Sequence, residues 1–253
     1  MPVKIKSARE IELMAASGKI LEYVLGELEK MIRPGITTMD INHHGEKLIR
    51  SYGCVPSFLG YEGFPASICI SVNDEVVHGV PSSKRVLKEG DIVSLDAGVL
   101  YKGYHSDAAR TFGVGKISEK AEQLIRITKE SFFEGIKFAK EGNYLFEISA
   151  AIGKYAENRG YGVVRDLCGH GIGSELHEEP QVPNHKMGRR GMRLRRGMTL
   201  AIEPMLNIGT HEVEWLDNDW TVVSKDGSLS AHYEDTVVIT DGEPRLLTKS
   251  GEL

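Results

Sequence analysis

The sequence predicts an α+β fold composed of two similar halves, at about residues 1–115 and 116–253. Three observations lead to this prediction. The chain passes twice through the order helix, helix, extended segment. Sliding the chain against itself by 107 residues aligns VLKEGDIVSLD (86–96) with RLRRGMTLAIE (193–203). Two apolar runs separated by a short glycine-containing break, within 91–115, are typical of a β-hairpin.

Four helices are predicted, at about residues 7–32, 37–53, 118–140 and 145–159. The first begins at a capping box, because Ser7 can accept a hydrogen bond from the backbone of Glu10 while the Glu10 side chain reaches back. Apolar residues then recur at helical spacing as far as Ile32. Thr37 or Thr38 can cap the second helix. The remaining segments are extended, and we expect strands at 67–72, 199–208, 220–223 and 236–240 in addition to the hairpin.

Two aspartates lie in the predicted hairpin, Asp96 in its first strand and Asp107 in its second. If the turn centres near Tyr101 and Lys102, the two side chains lie opposite each other. Neighbouring carboxylates in an apolar setting repel, so either one is protonated or a cation lies between them. The simpler alternative is that both are exposed charges of a surface hairpin.

The internal repeat favours the cation. The offset of 107 residues aligns Asp96 with Glu203. An offset of 127 residues then aligns HSD (105–107) with HYE (232–234), and so aligns Asp107 with Glu234. Two halves related by a pseudo-twofold axis would bring four acids to one centre, namely Asp96, Asp107, Glu203 and Glu234. Carboxylate oxygens suit hard or borderline divalent cations, and two ions balance four acids better than one.

Three histidines lie in contexts that favour a role at such a centre. His170 lies between two glycines in CGHGIG (168–173), which allow close backbone approach, so we expect it to be a fifth ligand. His78 and His177 could hydrogen-bond a substrate amide or a developing oxyanion beside the centre. Without that context, a capping or core histidine is the alternative explanation for both.

Composition and charge are those of an ordinary globular protein, with 41% hydrophobic residues and a net charge of −5. The basic run RRGMRLRR (189–196) is expected to be a solvated loop, with docking of an anionic partner as the less favoured alternative, so direct nucleic-acid binding is not predicted. No apolar stretch is long enough to span a membrane, and the N-terminus lacks the apolar core of a signal peptide. Three widely spaced cysteines without a CxxC pair fit a reducing cytoplasm.

Four segments together resemble the type I methionine aminopeptidases of bacterial type: SLDAGVLYKGYHSDAARTF (94–112), CGHGIGSELHEEPQVPN (168–184), TLAIEPM (199–205) and SAHYEDTVV (230–238). Each motif alone is weak, but their order and spacing together are specific. The resemblance extends from about Ile5 to Leu247. It implies the pita-bread fold, in which two pseudo-symmetric halves surround a curved antiparallel sheet with helices on the outer face. It also implies that residues 1–253 form a single catalytic metallopeptidase domain.

The resemblance implies a site for two divalent metal ions, which could be Fe, Mn, Co or Zn. The implied ligands are Asp96, Asp107, His170, Glu203 and Glu234. Asp107 and Glu234 would bridge the ions, and Glu203 would also accept and pass on the proton of the attacking water. His177 would stabilise the oxyanion and His78 would hydrogen-bond the scissile amide nitrogen.

The resemblance further implies a pocket for a methionine side chain. Its matching positions are Phe58, Tyr61, Phe64, Cys69, Leu176 and Trp220, whose apolar, aromatic and sulfur groups suit a thioether. Family members vary at Phe58, Phe64 and Leu176, so this pocket is expected to differ slightly in shape. Asn73 and Ser230 match positions that help to bind one Na or K ion through main-chain oxygens.

The implied activity is removal of the N-terminal methionine from nascent proteins. A metal-bridging hydroxide would attack the first peptide bond, with preference for a small uncharged second residue. The implied setting is cytoplasmic: a monomer that acts on nascent polypeptide N-termini close to the ribosome, without direct nucleic-acid or membrane contact.

Three other functions are compatible with parts of this pattern. A pita-bread peptidase that cleaves Xaa–Pro bonds usually has an additional N-terminal domain, for which 253 residues leave no room. A non-enzymatic pita-bread protein that binds partners or RNA would have lost its metal ligands, whereas all five positions are filled here. A metal-dependent hydrolase of non-peptide substrates would not need the apolar pocket.

Overall fold

The computed structural model describes residues 2–249. In this part of the chain there are four α-helices, namely α1 (Ala8–Glu29), α2 (Thr38–Ser51), α3 (Glu119–Ile136) and α4 (Leu145–Glu157). The predicted capping box of Ser7 and Glu10 is confirmed, and Thr37 forms a second one with Asp40. The third helix ends four residues earlier than predicted, and Lys140 instead forms an isolated β-bridge with Thr240.

The strands are short except for one long hairpin. In chain order they are β1 (Val55–Pro56), β2 (Ile68–Val72), β3 (Glu75–Val77), β4 (Ile92–Tyr101), β5 (Tyr104–Gly113), β6 (Gly162–Val163), β7 (Gly169–Gly171), β8 (Glu178–Val182), β9 (Thr199–Ile202), β10 (Met205–Asn207), β11 (Val213–Trp215), β12 (Val222–Ser224), β13 (Ser230–His232), β14 (Glu234–Val238) and β15 (Arg245–Leu246).

A nine-stranded antiparallel sheet forms the centre of the molecule, in the order β1-β4-β5-β14-β9-β7-β8. Strand β2 also pairs with β4, and β15 with β14. The β4–β5 hairpin comes from the first half of the sequence, and β14, β9 and β7 come from the second. Pairing of Ala109 in β5 with Glu234 in β14 joins the two sets of strands. Two three-stranded sheets flank this one, β13-β10-β6 and β11-β12-β3.

Apolar helix faces pack against the sheet in two main clusters. Leu21 and Leu28 of α1 and Ile41 of α2 pack with Val93 and Leu95 of the hairpin. A second cluster is formed by α3, α4, β9 and β14, and includes Phe132, Ile148, Ile152, Leu200 and Val237. Each fully buried side chain of this size contributes about 1.5–3 kcal/mol by transfer from water. Within residues 2–249 we find no helix with the length and hydropathy needed to span a bilayer.

The register of the hairpin differs from the prediction. The turn residues are Lys102 and Gly103, which both have positive φ (48° and 86°), as two-residue hairpin turns of the primed type require. Asp96 therefore pairs with Ala109, while Asp107 pairs with Gly98. The expectation that the two aspartates lie directly opposite each other was wrong. They are diagonal neighbours, and both project from the same face of the sheet.

The segment expected as one strand over 199–208 is interrupted. Strand β9 ends at Ile202, and β10 begins at Met205 in a separate sheet. Pro204 lies between them and has no N–H to donate to a ladder. Glu203 is therefore located where the chain leaves the central sheet.

Two glycines of α1 should respond to alanine in opposite ways. A Cβ atom at Gly18 would lie 1.9 Å from the carbonyl oxygen of Leu247, whereas a Cβ at Gly26 has no atom within 4 Å. We expect Gly18→Ala to lower the free energy of unfolding by about 1–3 kcal/mol. Gly26→Ala should raise it by about 0.5–1 kcal/mol, because alanine restricts the unfolded chain. Urea unfolding of both variants measures this, and equal effects would contradict the close packing at Gly18.

Candidate metal centre

Five adjacent strands of the central sheet bring the five predicted ligands together. In the spatial order β4, β5, β14, β9 and β7, these residues are Asp96, Asp107, Glu234, Glu203 and His170. Four of them lie within a strand, and Glu203 follows the last residue of β9. The first two come from the first half of the sequence and the other three from the second.

Strand register places these side chains on one face. Asp96 pairs with Ala109, and Ala109 pairs with Glu234, so the two acids project beside each other across the small alanine. Asp107 is two residues from Ala109, and His170 pairs with Ala201, which is two residues before Glu203. Since side chains alternate between faces with a period of two, all five point to the same side of the sheet.

The imidazole of His170 lies among the carboxylates. Its Nε2 atom is 3.6 Å from Oε1 of Glu203 and 3.9 Å from Oδ2 of Asp107. Its Nδ1 atom lies 2.9 Å from the carbonyl oxygen of Gly171, to which it can donate in the Nδ1–H tautomer. In that tautomer the Nε2 lone pair faces the acids, as is usual for a metal-ligating histidine. Ligand atoms of Asp107, His170 and Glu234 all lie within 4.8 Å of one another.

Several oxygens at this centre have no partner within residues 2–249. Buried Oδ1 of Asp96, Oδ1 of Asp107 and Oε1 of Glu234 make no hydrogen bond there. Buried polar atoms in native proteins are nearly always hydrogen-bonded or bound to a metal, because leaving them unpaired is costly. These oxygens, with the neighbouring imidazole, fit a divalent cation of the hard or borderline class.

Electrostatics lead to the same conclusion. Burial raises the pKa of Asp96 from 3.8 to about 7, and a hydrogen bond with Asp107 opposes part of that shift. Burial, followed by repulsion from neighbouring acids, raises the pKa of Asp107, Glu203 and Glu234 well above the ordinary range. Burial lowers the pKa of His170 to about 3, so its ring is neutral. Four fully ionised acids can therefore coexist here only with bound cations.

A cavity of about 520 Å³ opens over the acids and has an apolar side. All five predicted ligands line it, together with His78 and His177. The six predicted pocket residues also line it, and they are Phe58, Tyr61, Phe64, Cys69, Leu176 and Trp220. The rings of Phe64 and Trp220 pack edge to face, 5.1 Å apart.

The two predicted substrate-contacting histidines are held by different means. The ring of His177 packs edge-on against His170 at 4.3 Å, and its Nδ1 lies 2.9 Å from the hydroxyl of Tyr61. His78 has a positive φ of 57°. The next residue, Gly79, packs tightly against the backbone of Ile70, because a Cβ atom at Gly79 would lie 2.2 Å from the carbonyl oxygen of Ile70. Burial lowers the pKa of both histidines, that of His78 to about 4.

Asn73 and Ser230 are neighbours, but neither lines the cavity. The backbone N–H of Ser230 donates to the carbonyl oxygen of Asn73 over 2.8 Å. The Asn73 side chain donates to Asp91 over 2.9 Å. Their role in binding a monovalent cation stays a prediction.

Sequence reasoning missed two residues of this region. His232 is fully buried, with Nε2 3.7 Å from Oε2 of Glu203. Glu178 lines the cavity and is paired with the buried amine of Lys6 at 2.6 Å. The repeat of HSD (105–107) as HYE (232–234) contained a signal for His232. We find no comparable signal for Glu178, because its partner is far away in sequence.

The raised pKa of Asp96 has a consequence for the metal-free protein. The folded chain keeps a proton that the unfolded chain releases, so stability falls as the pH rises from about 4 to about 7. Asp96→Asn removes this titration. Relative to the variant, the wild type should lose up to about 1.4 kcal/mol of unfolding free energy per pH unit in this window.

Urea unfolding in the presence of a chelator, at several pH values, measures this difference. Addition of Mn²⁺ is the control, because metal binding requires the deprotonated acid and should stabilise the wild type most at the upper end of the range. Parallel pH profiles for the two metal-free proteins would contradict the assignment.

Known proteins provide an independent comparison. Residues 12–241 match the profile of metallopeptidase family M24. The chain is 56% identical to a methionine aminopeptidase from Clostridium acetobutylicum, over 96% of this chain and 98% of the relative. It superposes on the crystal structure of methionine aminopeptidase from Thermotoga maritima with a TM-score of 0.96 and 43% identity, covering 98% of this chain and 100% of the other. The predicted pita-bread fold is thereby confirmed.

A peptidase of different specificity is also similar. The Xaa-Pro dipeptidase from Bacillus anthracis has a TM-score of 0.80 and 28% identity, covering 98% of this chain but 63% of that one. Matches to methionine aminopeptidases are stronger and extend over almost the full length of both partners. The chain therefore belongs to metallopeptidase family M24 and, within it, to the methionine aminopeptidases.

Proposed function

We propose that this protein is a metal-dependent aminopeptidase that removes N-terminal methionine from polypeptides whose second residue is small and uncharged. The observation that carries the proposal is the cavity, in which a floor of buried acids meets a side lined by apolar and aromatic residues. Affiliation with the methionine aminopeptidases supports the same substrate.

The proposed metal ligands are Asp96, Asp107, His170, Glu203 and Glu234, for two divalent ions. Asp107 and Glu234 lie in the neighbouring strands β5 and β14, the second and third of the five, so both have proposed ligands on either side, which supports the proposal that they would bridge the ions. Mixed oxygen and nitrogen donors accept Fe, Mn, Co or Zn. Bound divalent ions in such a centre lower the pKa of water and polarise a carbonyl group. A Na or K ion at Asn73 and Ser230 is part of the same proposal.

Three side chains are proposed to handle protons and hydrogen bonds during the reaction. Glu203 accepts the proton of the attacking water and passes it to the leaving amine. When the hydroxyl of Tyr61 donates to Nδ1 of His177, the Nε2 atom of that ring carries hydrogen and can donate to the developing oxyanion. His78 hydrogen-bonds the amide nitrogen of the scissile bond.

The apolar side of the cavity is proposed to bind the methionine side chain. Phe64 and Trp220 provide aromatic surfaces, and Cys69 provides a polarisable sulfur atom, next to which a thioether packs favourably. Because Cys69 pairs directly with Asp96, this pocket begins one strand away from the metal ligands. That distance suits a substrate whose α-amino group and side chain diverge from one carbon atom.

The proposed setting is the cytoplasm, where nascent polypeptide N-termini emerge close to the ribosome. The three cysteines, all within the described residues, are unpaired, as a reducing compartment favours. We propose that residues 1–253 act as a single monomeric catalytic unit, with halves at about 1–115 and 116–253. We propose that the protein acts without direct contact with nucleic acid or membrane.

Glu203→Gln tests the metal centre and the reaction together, because Glu203 is proposed both as a metal ligand and as the proton acceptor. We expect metal-loaded wild type to release free methionine from Met-Ala-Ser, and the variant to be at least about 10³-fold slower, because glutamine cannot accept the proton. The assay compares metal-stripped protein with protein given Mn²⁺ or Co²⁺. Glu214→Gln, on an exposed part of β11, is the matched control and should keep full activity.

Absence of methionine release by the metal-loaded wild type would overturn the proposed function. Metal binding without release would favour a hydrolase of other substrates. Failure to bind any divalent ion would favour a non-enzymatic binding protein.

Phe64→Ala should weaken recognition of the substrate side chain. Phe64 is 3% exposed and contacts Trp220, so its loss leaves a void beside the proposed methionine position. We expect KM for Met-Ala-Ser to rise about 10-fold or more with a smaller change in kcat, the pattern of lost uniform binding. Affinity for Mn²⁺, measured by calorimetry, should stay unchanged. An unchanged KM for Met-Ala-Ser would contradict contact between Phe64 and the methionine side chain.

A further inference from the structure

His232 is a buried histidine without a visible partner. Its side chain is 1% exposed, and neither ring nitrogen makes a hydrogen bond within the described part of the chain. Buried polar atoms are rarely left unpaired, so such a residue requires an explanation. The proposed reaction assigns it no role so far.

The ring lies next to two proposed metal ligands. Its Nε2 atom is 3.7 Å from Oε2 of Glu203 and 3.9 Å from Oε2 of Glu234. On the other side, Nε2 of His170 is 3.6 Å from Oε1 of Glu203. The carboxylate of Glu203 thus has one imidazole beside each of its two oxygens.

Glu203 also needs positioning more than the other four proposed ligands. They lie within strands, where ladder hydrogen bonds fix the backbone, whereas Glu203 follows the end of β9 and precedes Pro204. Its carbonyl oxygen accepts a hydrogen bond from the amide of Asn184, which is fully buried, over 3.0 Å. That contact fixes the backbone. In residues 2–249 we find no group at normal hydrogen-bond distance from the Glu203 carboxylate.

We propose that His232 is the positioning residue for the Glu203 carboxylate, to which it donates a hydrogen bond from Nε2 to Oε2. A shift of less than 1 Å brings the two atoms to ordinary hydrogen-bond distance. Oε1 then remains on the side of His170. In its Nε2–H tautomer the imidazole carries the single N–H that this bond needs. The inference rests on the proposed function only for what Glu203 does in catalysis.

A direct ligand role is the competing explanation, since a neutral imidazole also binds metals. Glutamine separates the two, because its amide can donate a hydrogen bond from about the position of Nε2 but is a poor ligand for transition metals. Leucine has similar bulk and provides neither. His105 occupies the position matching His232 in the internal repeat, and it bonds Ser57 over 2.9 Å without lining the cavity. It therefore offers a matched control.

The experiment compares His232→Leu, His232→Gln and His105→Leu by Co²⁺ calorimetry and by methionine release from Met-Ala-Ser. We expect His232→Leu to bind Co²⁺ about 10- to 100-fold more weakly and to lose kcat by a similar factor, with KM nearly constant. His232→Gln should recover both to within about 3-fold of wild type. His105→Leu should match wild type in both. If His232→Leu does not fold, His232→Met replaces it.

Wild-type affinity and kcat in His232→Leu would overturn the inference. A glutamine variant as impaired as the leucine variant would also overturn it and identify the imidazole as a direct ligand. If wild type binds Co²⁺ but releases no methionine, the proposed function fails, and the Co²⁺ affinities of the variants still decide the role of His232.

Discussion

Close burial of four carboxylates is the constraint on which this structure depends. The cationic side chain of Arg110, in the strand that bears Asp107, pairs with Asp235 at 2.6 Å rather than with any of the four carboxylates. It also lies over the ring of Tyr233 and donates to the carbonyl oxygen of Ala109. The fold therefore stabilises the strand that bears Asp107 without neutralising the acids. Neutralisation is left to bound ions or, in the metal-free chain, to protons that the acids retain.

Strand pairing turns this constraint into geometry. The acids reach one cavity because β4, β5, β14 and β9 are aligned so that every ligand side chain projects from the same face of the sheet. A one-residue slip anywhere in this ladder would rotate a ligand to the helix-covered face. Apolar packing of α1 and α2 on the hairpin, and of α3 and α4 on β9 and β14, thus contributes to the chemistry by fixing the register. Ala109 and Ala201, which pair with ligand residues in the neighbouring strands, place only methyl groups between those ligands on this face.

Much of this arrangement could be predicted from the sequence. Capping residues such as Ser7 indicate where the helices begin, and the internal repeat pairs the acids without reference to any family. The diagonal placement of Asp96 and Asp107 could not be predicted, because it depends on which two residues of the turn adopt positive φ. The strand break at Glu203 was missed because its apolar flanks continue the pattern. His232 was missed because unpaired nitrogens are visible only in three dimensions, and the pocket came from family resemblance alone.

The position of β14 has a consequence for how the chain folds. This strand lies between β5 and β9, and its pairing of Glu234 with Ala109 joins residues that are 125 positions apart. Contacts of such large sequence separation form late, since loop closure must precede any gain from pairing. Until then the long hairpin has an open edge at β5, which favours association with other chains. Chaperone demand during synthesis should therefore be concentrated in the interval before β14 is available. The complete set of proposed ligands comes together only once β14 has been inserted.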